Sequence, residues 1–413
     1  MKFHVLLLTV LLLIPGELRA KPLPGEAGFA PKLIIYLAKG PANSCGLGCD
    51  RWIAVEGKVD QGAAARVSRF LRNVKDTKRP IYLHSPGGAV DQSFIIGRLL
   101  RSRKAIARVG RTVVAGCGAD AEAQVDAACL KIKTGGGEVE AEIATRHAMC
   151  NSACGYLFLG ATTRELAADT AMAVHSSKLT VIVHGHPSAQ QIAAFTDGGK
   201  VKADRERASF IQAMGISHEL NDLIKTVKFE TPHVLTRSEL YRFGIDTRSF
   251  AETGWMLEPA ARPYARKIAL EKKRDDASFR IMEWRLFCEN KDRARLMFIR
   301  EFDKGAAGLN SVMLMAGAEK PVSFGTFPAR MGIFEAWSGT IASDAMKAVL
   351  AAPHLQMAEA TLLADGKASQ EIFDIETGGL EPAWTQLLAS CPAAPTNARP
   401  AMASPGPSSA PVQ

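Results

Sequence analysis

Three short segments hold the residue types that acyl-transfer chemistry needs. Residues 81–88 read Ile-Tyr-Leu-His-Ser-Pro-Gly-Gly, residues 150–155 read Cys-Asn-Ser-Ala-Cys-Gly, and residues 173–176 read Ala-Val-His-Ser. A serine hydroxyl is a weak nucleophile and needs a base to take its proton. Ser152 opens a predicted helix, where free amides and the macrodipole favour an anion. The Ala153 N–H offers one oxyanion donor, and the N–H of Gly87 or Gly88 offers the other. Pro86 fixes one backbone angle, while Gly87 and Gly88 let a ligand approach bare amides. His175 ends a short strand, and an imidazole there suits a proton shuttle. Each piece has a plainer reading alone: Ser152 as a helix cap, His175 as a structural histidine, Ser-Pro-Gly-Gly as a tight turn. Together, in this order, they point to one site at neighbouring strand ends, where open α/β sheets place their ligands.

The elements that must position these groups alternate. Trp52–Val55 reads as a strand, and residues 62–73 as a helix with Ala65, Val67, Phe70 and Leu71 on one face. Ile81–Leu83 is the next strand. Residues 90–103 form a helix with Phe94, Ile95, Leu99 and Leu100 inward and Arg98, Arg101 and Arg103 outward, and Ile106–Val109 is another strand. This alternation predicts a parallel sheet with crossover helices. Residues 115–145, rich in glycine and acids, read as an inserted surface excursion closed by Cys117–Cys129, with a base next to the proposed site and the character of a lid. Helix resumes at 152–160, a strand spans 171–174, helices fill most of 187–225, and Leu235–Phe243 is a helix stopped by Gly244.

On these motifs the chain resembles the Clp protease proteolytic subunit and its wider crotonase-type superfamily over residues 52–247. The matching pieces are Ile81 to Gly88, Ser152-Ala153 opening a helix, Val174-His175, and the run Leu235 to Gly244. In detail it is similar to exported Clp-protease-like proteins with Cys-x-Ser-x-Cys around the serine. The resemblance implies Ser152 as nucleophile, His175 as base, and the amides of Gly88 and Ala153 as oxyanion hole. It implies a spiral of β-β-α turns and a homo-oligomer, trimer or ring. The expected fold class is therefore α/β: a ClpP/crotonase-like β-β-α spiral domain followed by a small mainly-β C-terminal domain. The family's third catalytic member is an acid, and counting back lands near Lys228. Asp222 and Glu230 are the nearby substitutes, and Ser176 stands where the family has an amide residue. A histidine without its orienting acid loses tautomer control.

The N-terminus reads as a secretory signal over 1–20, with Lys2, an apolar core from Val5 to Ile14, and a cleavage site after Leu18-Arg19-Ala20. The apolar run is short for a membrane span, and no later segment supplies one. The chain carries a formal charge of +9, of which the signal holds one, leaving +8 spread along the mature chain. Its one dense basic patch, Lys267, Lys272, Lys273 and Arg274, lacks interleaved aromatic residues, so a solvated linker is expected rather than a nucleic-acid surface. The eight cysteines argue for disulfides in an exported protein. Cys45–Cys49 and Cys117–Cys129 are the local pairings, and Cys288–Cys391 would tie the far ends of the C-terminal region. Cys150 and Cys154 either join each other across one helical turn, holding the backbone of Ser152, or bond to Cys117 or Cys129.

No Cys-x-x-Cys with a distant histidine pair occurs, His184 and His186 read as surface residues, and neither a metal nor a cofactor is expected. His147 is a competing base by sequence proximity, which the resemblance does not support. The boundaries expected are a ClpP-like domain at 21–251, a charged linker at 252–279, a small mainly-β domain at 280–391 with a hairpin at Asp365-Gly366 and a helix from Leu380 to Ser390, and a disordered tail at 392–413. The function expected is an exported, periplasmic or secreted serine hydrolase, a peptidase acting on a peptide or protein substrate. The alternative is a non-catalytic peptide- or protein-binding module on the same fold. Acyl-CoA chemistry is disfavoured because the chain leaves the cytosol.

Overall fold

The computed structural model describes residues 29–118, 120–178, 188–273, 278–301, 310–317, 320–325, 328–362 and 367–391. The signal segment, the tail, His184, His186 and the Asp365-Gly366 hairpin signal lie outside the described residues. Within residues 34–165 the elements are β1 (Ile34–Lys39), β2 (Arg51–Glu56), α1 (Ala63–Asn73), β3 (Ile81–His84), α2 (Val90–Ser102), β4 (Ile106–Val109), β5 (Arg111–Val114), α3 (Ala127–Lys133), β6 (Glu138–Ala144), α4 (Ala153–Gly160) and β7 (Thr163–Glu165). They form a mixed sheet in the order β5-β6-β1-β2-β3-β4-β7. Strands β2, β3, β4 and β7 run parallel, joined by α1 and α2, as the alternation predicts. Strand β1, outside the sequence-predicted set, pairs antiparallel with β2 along six residues. The excursion at 115–145 is more than surface: β6 pairs parallel with β1 and antiparallel with β5, so its second half is sheet. Val139 and Ala141 alternate inward along β6 while Glu138, Glu140 and Glu142 face solvent, and those acids hid the strand in composition.

Helix α4 is buried along its whole length. It crosses α2 closely because both surfaces carry glycine: a Cβ on Gly160 would lie 2.2 Å from the carbonyl oxygen of Gly97. Phe94, Tyr156 and Phe210 seal the crossing, with ring centroids 4.6 to 6.0 Å apart. On α2 the inward set is Phe94, Ile96 and Leu100, whereas Ile95 is 51% exposed. Of the arginines expected to face solvent, Arg98 does, while Arg101 and Arg103 are tethers. Arg101 donates to the Met214 carbonyl, and Arg103 donates to the carbonyls of Leu71 and Val74.

Beyond α4 come β8 (Ala173–Val174), α5 (Ala189–Ala213), α6 (His218–Thr226), β9 (His233–Val234) and α7 (Arg237–Arg242). β8 and β9 form a two-stranded antiparallel ribbon. The following elements are β10 (Phe250–Glu252), β11 (Met256–Glu258), β12 (Tyr264–Lys272), β13 (Phe279–Asn290), β14 (Arg293–Glu301), β15 (Asn310–Met315), β16 (Val322–Ser323), β17 (Ala329–Met331), β18 (Phe334–Ala342), α8 (Ser343–Ala351), β19 (His354–Leu362), β20 (Ala368–Glu376) and α9 (Leu380–Ala389). They build two antiparallel sheets around a second apolar cluster that includes Trp255, Trp284, Phe298, Trp337 and Trp384.

The charged stretch expected as a linker is in fact strand. β12 pairs with β13 along eight residues and buries Ala265, Lys267 and Ala269. Its inward face is two small residues and a lysine, so the apolar alternation that announces a strand is missing. Burial of Lys267 is tolerated because its ammonium donates to the Thr253 carbonyl and pairs with the Glu252 carboxylate at 2.9 Å.

Four disulfides are present: Cys45–Cys49, Cys117–Cys129, Cys150–Cys154 and Cys288–Cys391. They fit an exported protein, since such bonds persist in oxidising compartments. Among the described residues no helix is long and apolar enough to cross a membrane.

Candidate active site

The turn leading into α4 is threaded between the end of β3 and the approach to β8. Ser85 N–H donates to the Met149 carbonyl at 2.9 Å, and Asn151 N–H donates to the Ser85 carbonyl at 3.1 Å. On the other side Cys150 N–H donates to the Ala171 carbonyl at 2.9 Å, and Ser152 N–H donates to the Ala173 carbonyl at 2.8 Å. The Asn151 side chain adds a third tie, accepting from the Ala173 N–H at 2.9 Å. The Cys150–Cys154 bridge closes over this turn, and both cysteines are fully buried. Asn151 and Ser85 therefore fix the serine's position, though neither was a sequence candidate. The only signal for Asn151 was its place directly before the serine.

Ser152 adopts φ 55° and ψ −124°, backbone that an L-residue enters only under constraint. The glycine pair is packed against it. A Cβ on Gly87 would lie 2.7 Å from both the Ser152 Cβ and the Asn151 carbonyl oxygen, and 3.0 Å from the Ala153 nitrogen. Gly88 (φ 142°) is tighter, its notional Cβ 2.2 Å from the Val59 carbonyl oxygen. The two amides differ. Gly87 N–H donates to the Ser85 hydroxyl at 3.1 Å, so it is not a free oxyanion donor. The neighbouring residues make the Val59 bridge: Val59 N–H donates to the Gly87 carbonyl and Ala89 N–H to the Val59 carbonyl. The amides of Gly88 and of Ala153, the first residue of α4, take no hydrogen-bond acceptor among the described residues. Gly88→Ala should cost about 3 kcal/mol, combining left-side backbone strain with a backbone clash. Denaturant unfolding checks it; a loss below about 0.5 kcal/mol would contradict this geometry.

Ser152 and His175 line one narrow cleft with Val90, Tyr156, Met172 and Leu220. No hydrogen bond joins the serine hydroxyl to the imidazole among the described residues; such contacts are often long without substrate and tighten when it binds. Burial pushes the Tyr156 phenol up to about 12, so it stays protonated beside the cleft. The His175 ring meets two partners that sequence reasoning missed. Its Nδ1 lies 2.7 Å from the Ser176 carbonyl oxygen, and the Phe229 ring packs edge-on at 4.6 Å between centroids. The acids offered as third member are not brought to it. Asp222 binds His218 and Lys225, and Glu230 pairs with Lys178 at 2.9 Å. His147 is exposed, and the 115–145 segment contributes nothing to the walls of this cleft.

A larger cavity, about 950 Å³, lies between the Cys45–Cys49 turn and residues 248–257. Two pairs of its charged wall residues meet each other, Arg108 with Glu165 and Lys267 with Glu252, and among the described residues it presents no serine–histidine pair. No group of three or more metal-ligating side chains occurs among the described residues.

No family model matches the chain, and no curated protein matches it in sequence. Among solved structures it is similar to a mutant of the 1510-N membrane-bound stomatin-specific protease, with 14% identity and a TM-score of 0.26 over 46% of this chain and 73% of that one. It is also similar to invasion associated protein B from Bartonella henselae, with 14% identity and a TM-score of 0.25 over 33% of this chain and 92% of that one. Likenesses this distant carry no weight on function, and the site has to be judged on its own geometry.

Proposed function

We propose that the chain is an exported serine hydrolase acting on peptides, with a Clp-protease-like spiral that ends before β10 and a β-rich unit that runs from β10 through α9. The observation that carries this reading is the backbone of Ser152. A non-glycine residue held at φ 55°, ψ −124° at the mouth of a buried helix costs about 1–3 kcal/mol. Disulfide, hydrogen-bond ladder and glycine contact all act to keep it there. Such strain at the head of a helix presents a side-chain oxygen to a cleft, as a nucleophile elbow does. Two amides without acceptors among the described residues, at Gly88 and Ala153, flank the same turn and suit a developing oxyanion. His175 shares the cleft and supplies the base. The peptide substrate comes from the resemblance of the Ile81–Gly88 and Ser152–Ala153 segments.

Treatment of the folded mature chain with a fluorophosphonate probe tests the reading. The serine oxygen displaces fluoride from phosphorus while the imidazole takes the hydroxyl proton. Labelling of the wild type, absent in Ser152→Ala and at least about a hundredfold slower in His175→Ala, is the expected result. A folded wild type that takes no label would instead favour a peptide-binding module on the same fold.

A further inference from the structure

We propose that His175 is oriented by a main-chain carbonyl in place of a carboxylate, and that Phe229 is the positioning residue that holds its ring. The catalytic meaning of this rests on the hydrolase reading above; the orientation itself does not. The Nδ1 of His175 lies 2.7 Å from the Ser176 carbonyl oxygen. A carbonyl oxygen can only accept, so Nδ1 carries the proton and Nε2 carries the lone pair. In a serine–histidine pair that presents Nε2, this is the tautomer a general base requires, and an acid partner ordinarily selects it. Here the carbonyl selects it.

The carbonyl is itself held in place. Ser176 N–H donates to the Val227 carbonyl at 2.9 Å, which clamps residue 176 to the loop bearing Phe229. The Phe229 ring then meets the imidazole at an interplanar angle of 81°. The Lys178 ammonium sits 4.3 Å from the Phe229 ring centroid and is paired with Glu230. Glu230, offered by the sequence as the acid for His175, pairs instead with the lysine that lies over Phe229. Among the described residues no carboxylate reaches His175.

Long-range proton–nitrogen NMR of the folded mature chain, labelled at histidine and assigned with His175→Gln, reads the tautomer directly. Well above the histidine titration range, His175 should show a protonated Nδ1 and a bare Nε2. Phe229→Ala should move both nitrogens toward the averaged position and slow fluorophosphonate labelling about tenfold, with Phe229→Tyr restoring both. Phe229 is 38% exposed, so the variant should fold. Asp222→Asn and Glu230→Gln should leave tautomer and labelling within about twofold, as exposed ion pairs contribute little. A wild-type ring protonated at Nε2, or a tautomer that shifts in Asp222→Asn or Glu230→Gln, would overturn the proposal. A ring protonated at Nδ1 in a chain that takes no label would uphold the orientation and reject the hydrolase.

Discussion

Removing the Cys288–Cys391 bridge should lower stability by about 4–5 kcal/mol, the entropy released when a loop of roughly a hundred residues is freed in the unfolded chain. The two cysteines are 103 residues apart. Cys288 is buried near the end of β13, and Cys391 follows α9, which sends Leu380, Ala383, Trp384 and Leu387 into the second apolar cluster. Without the bridge that helix is held by packing alone. Tryptophan fluorescence during denaturation reads this well, because Trp255, Trp284, Trp337 and Trp384 all lie in that cluster and only Trp52 lies outside it. The Cys150–Cys154 bridge should behave in the opposite way. It closes a separation of four residues, for which the same argument gives about 2 kcal/mol, yet it spans Ser152. Replacing Cys150 and Cys154 with alanine should cost modest stability and slow labelling at Ser152 by about ten- to a hundredfold. Replacing Cys288 and Cys391 should leave labelling of the folded protein unchanged. A loss under about 1 kcal/mol for the long bridge would contradict the first expectation. Unchanged labelling without the short one would show that the hydrogen-bond ladder suffices to hold the serine.

Acid should destabilise the fold well above the carboxylate range. His84 ends β3 one residue before Ser85; its ring packs against Phe29 at 4.6 Å, and its Nδ1 accepts from the Met149 N–H at 3.2 Å. Burial, helped by the nearby cations Arg111 and Lys133, lowers its pKa to about 3. An unfolded histidine titrates near 6.5. Between those values the unfolded chain binds a proton that the folded chain refuses. Stability is therefore complete above about pH 6.5 and falls as pH drops toward 3, by about 4–5 kcal/mol in all. Asp60, held down to about 2 by Arg66, and Asp246, held lower by Arg248 and Arg237, add their own losses only below about pH 4. Asp169, Glu252 and Glu359, raised by burial, oppose this loss as pH falls, so His84 is read from the difference between wild type and variant. His84→Asn, which keeps an acceptor for the Met149 amide, should flatten the slope between about pH 6.5 and 4. Parallel slopes for wild type and variant would show that His84 already titrates normally in the fold. Because Met149 begins the turn into Ser152, the same protonation should loosen the candidate site before the chain unfolds.

The parts legible in the sequence were those with local causes. The strands around Ile53 and Leu83 carry continuous apolar runs, the strand at Ile106–Val109 is apolar but for Arg108, and α1 and α2 follow helical spacing, so the parallel portion of the sheet could be read directly. The Ser-Pro-Gly-Gly stop and the serine opening α4 were equally local. What escaped depended on neighbours. Strand β12 was hidden because its inward lysine is neutralised by Glu252, a residue from β10. Strand β6 was hidden by outward glutamates; its small inward side chains match a partner, β1, about a hundred residues earlier. At the site, Asp222 and Glu230 were offered as acids by chain position alone, but helix α6 turns the first toward His218 and Lys178 takes the second.

By itself the sequence determined which groups are available: a serine at a helix mouth, a glycine pair after a strand, a histidine after another, and cysteines enough to staple the turn. Those are properties of residue type and short-range backbone preference, and they need no partner. Only the tertiary structure decided that Gly88 rather than Gly87 keeps an amide free, that Cys150 joins Cys154, and that a carbonyl rather than an acid meets His175. Each of those outcomes depends on which group meets the amide, the thiol or the ring nitrogen. That choice is settled by how segments distant along the chain pack against one another, and no spacing within a segment encodes it.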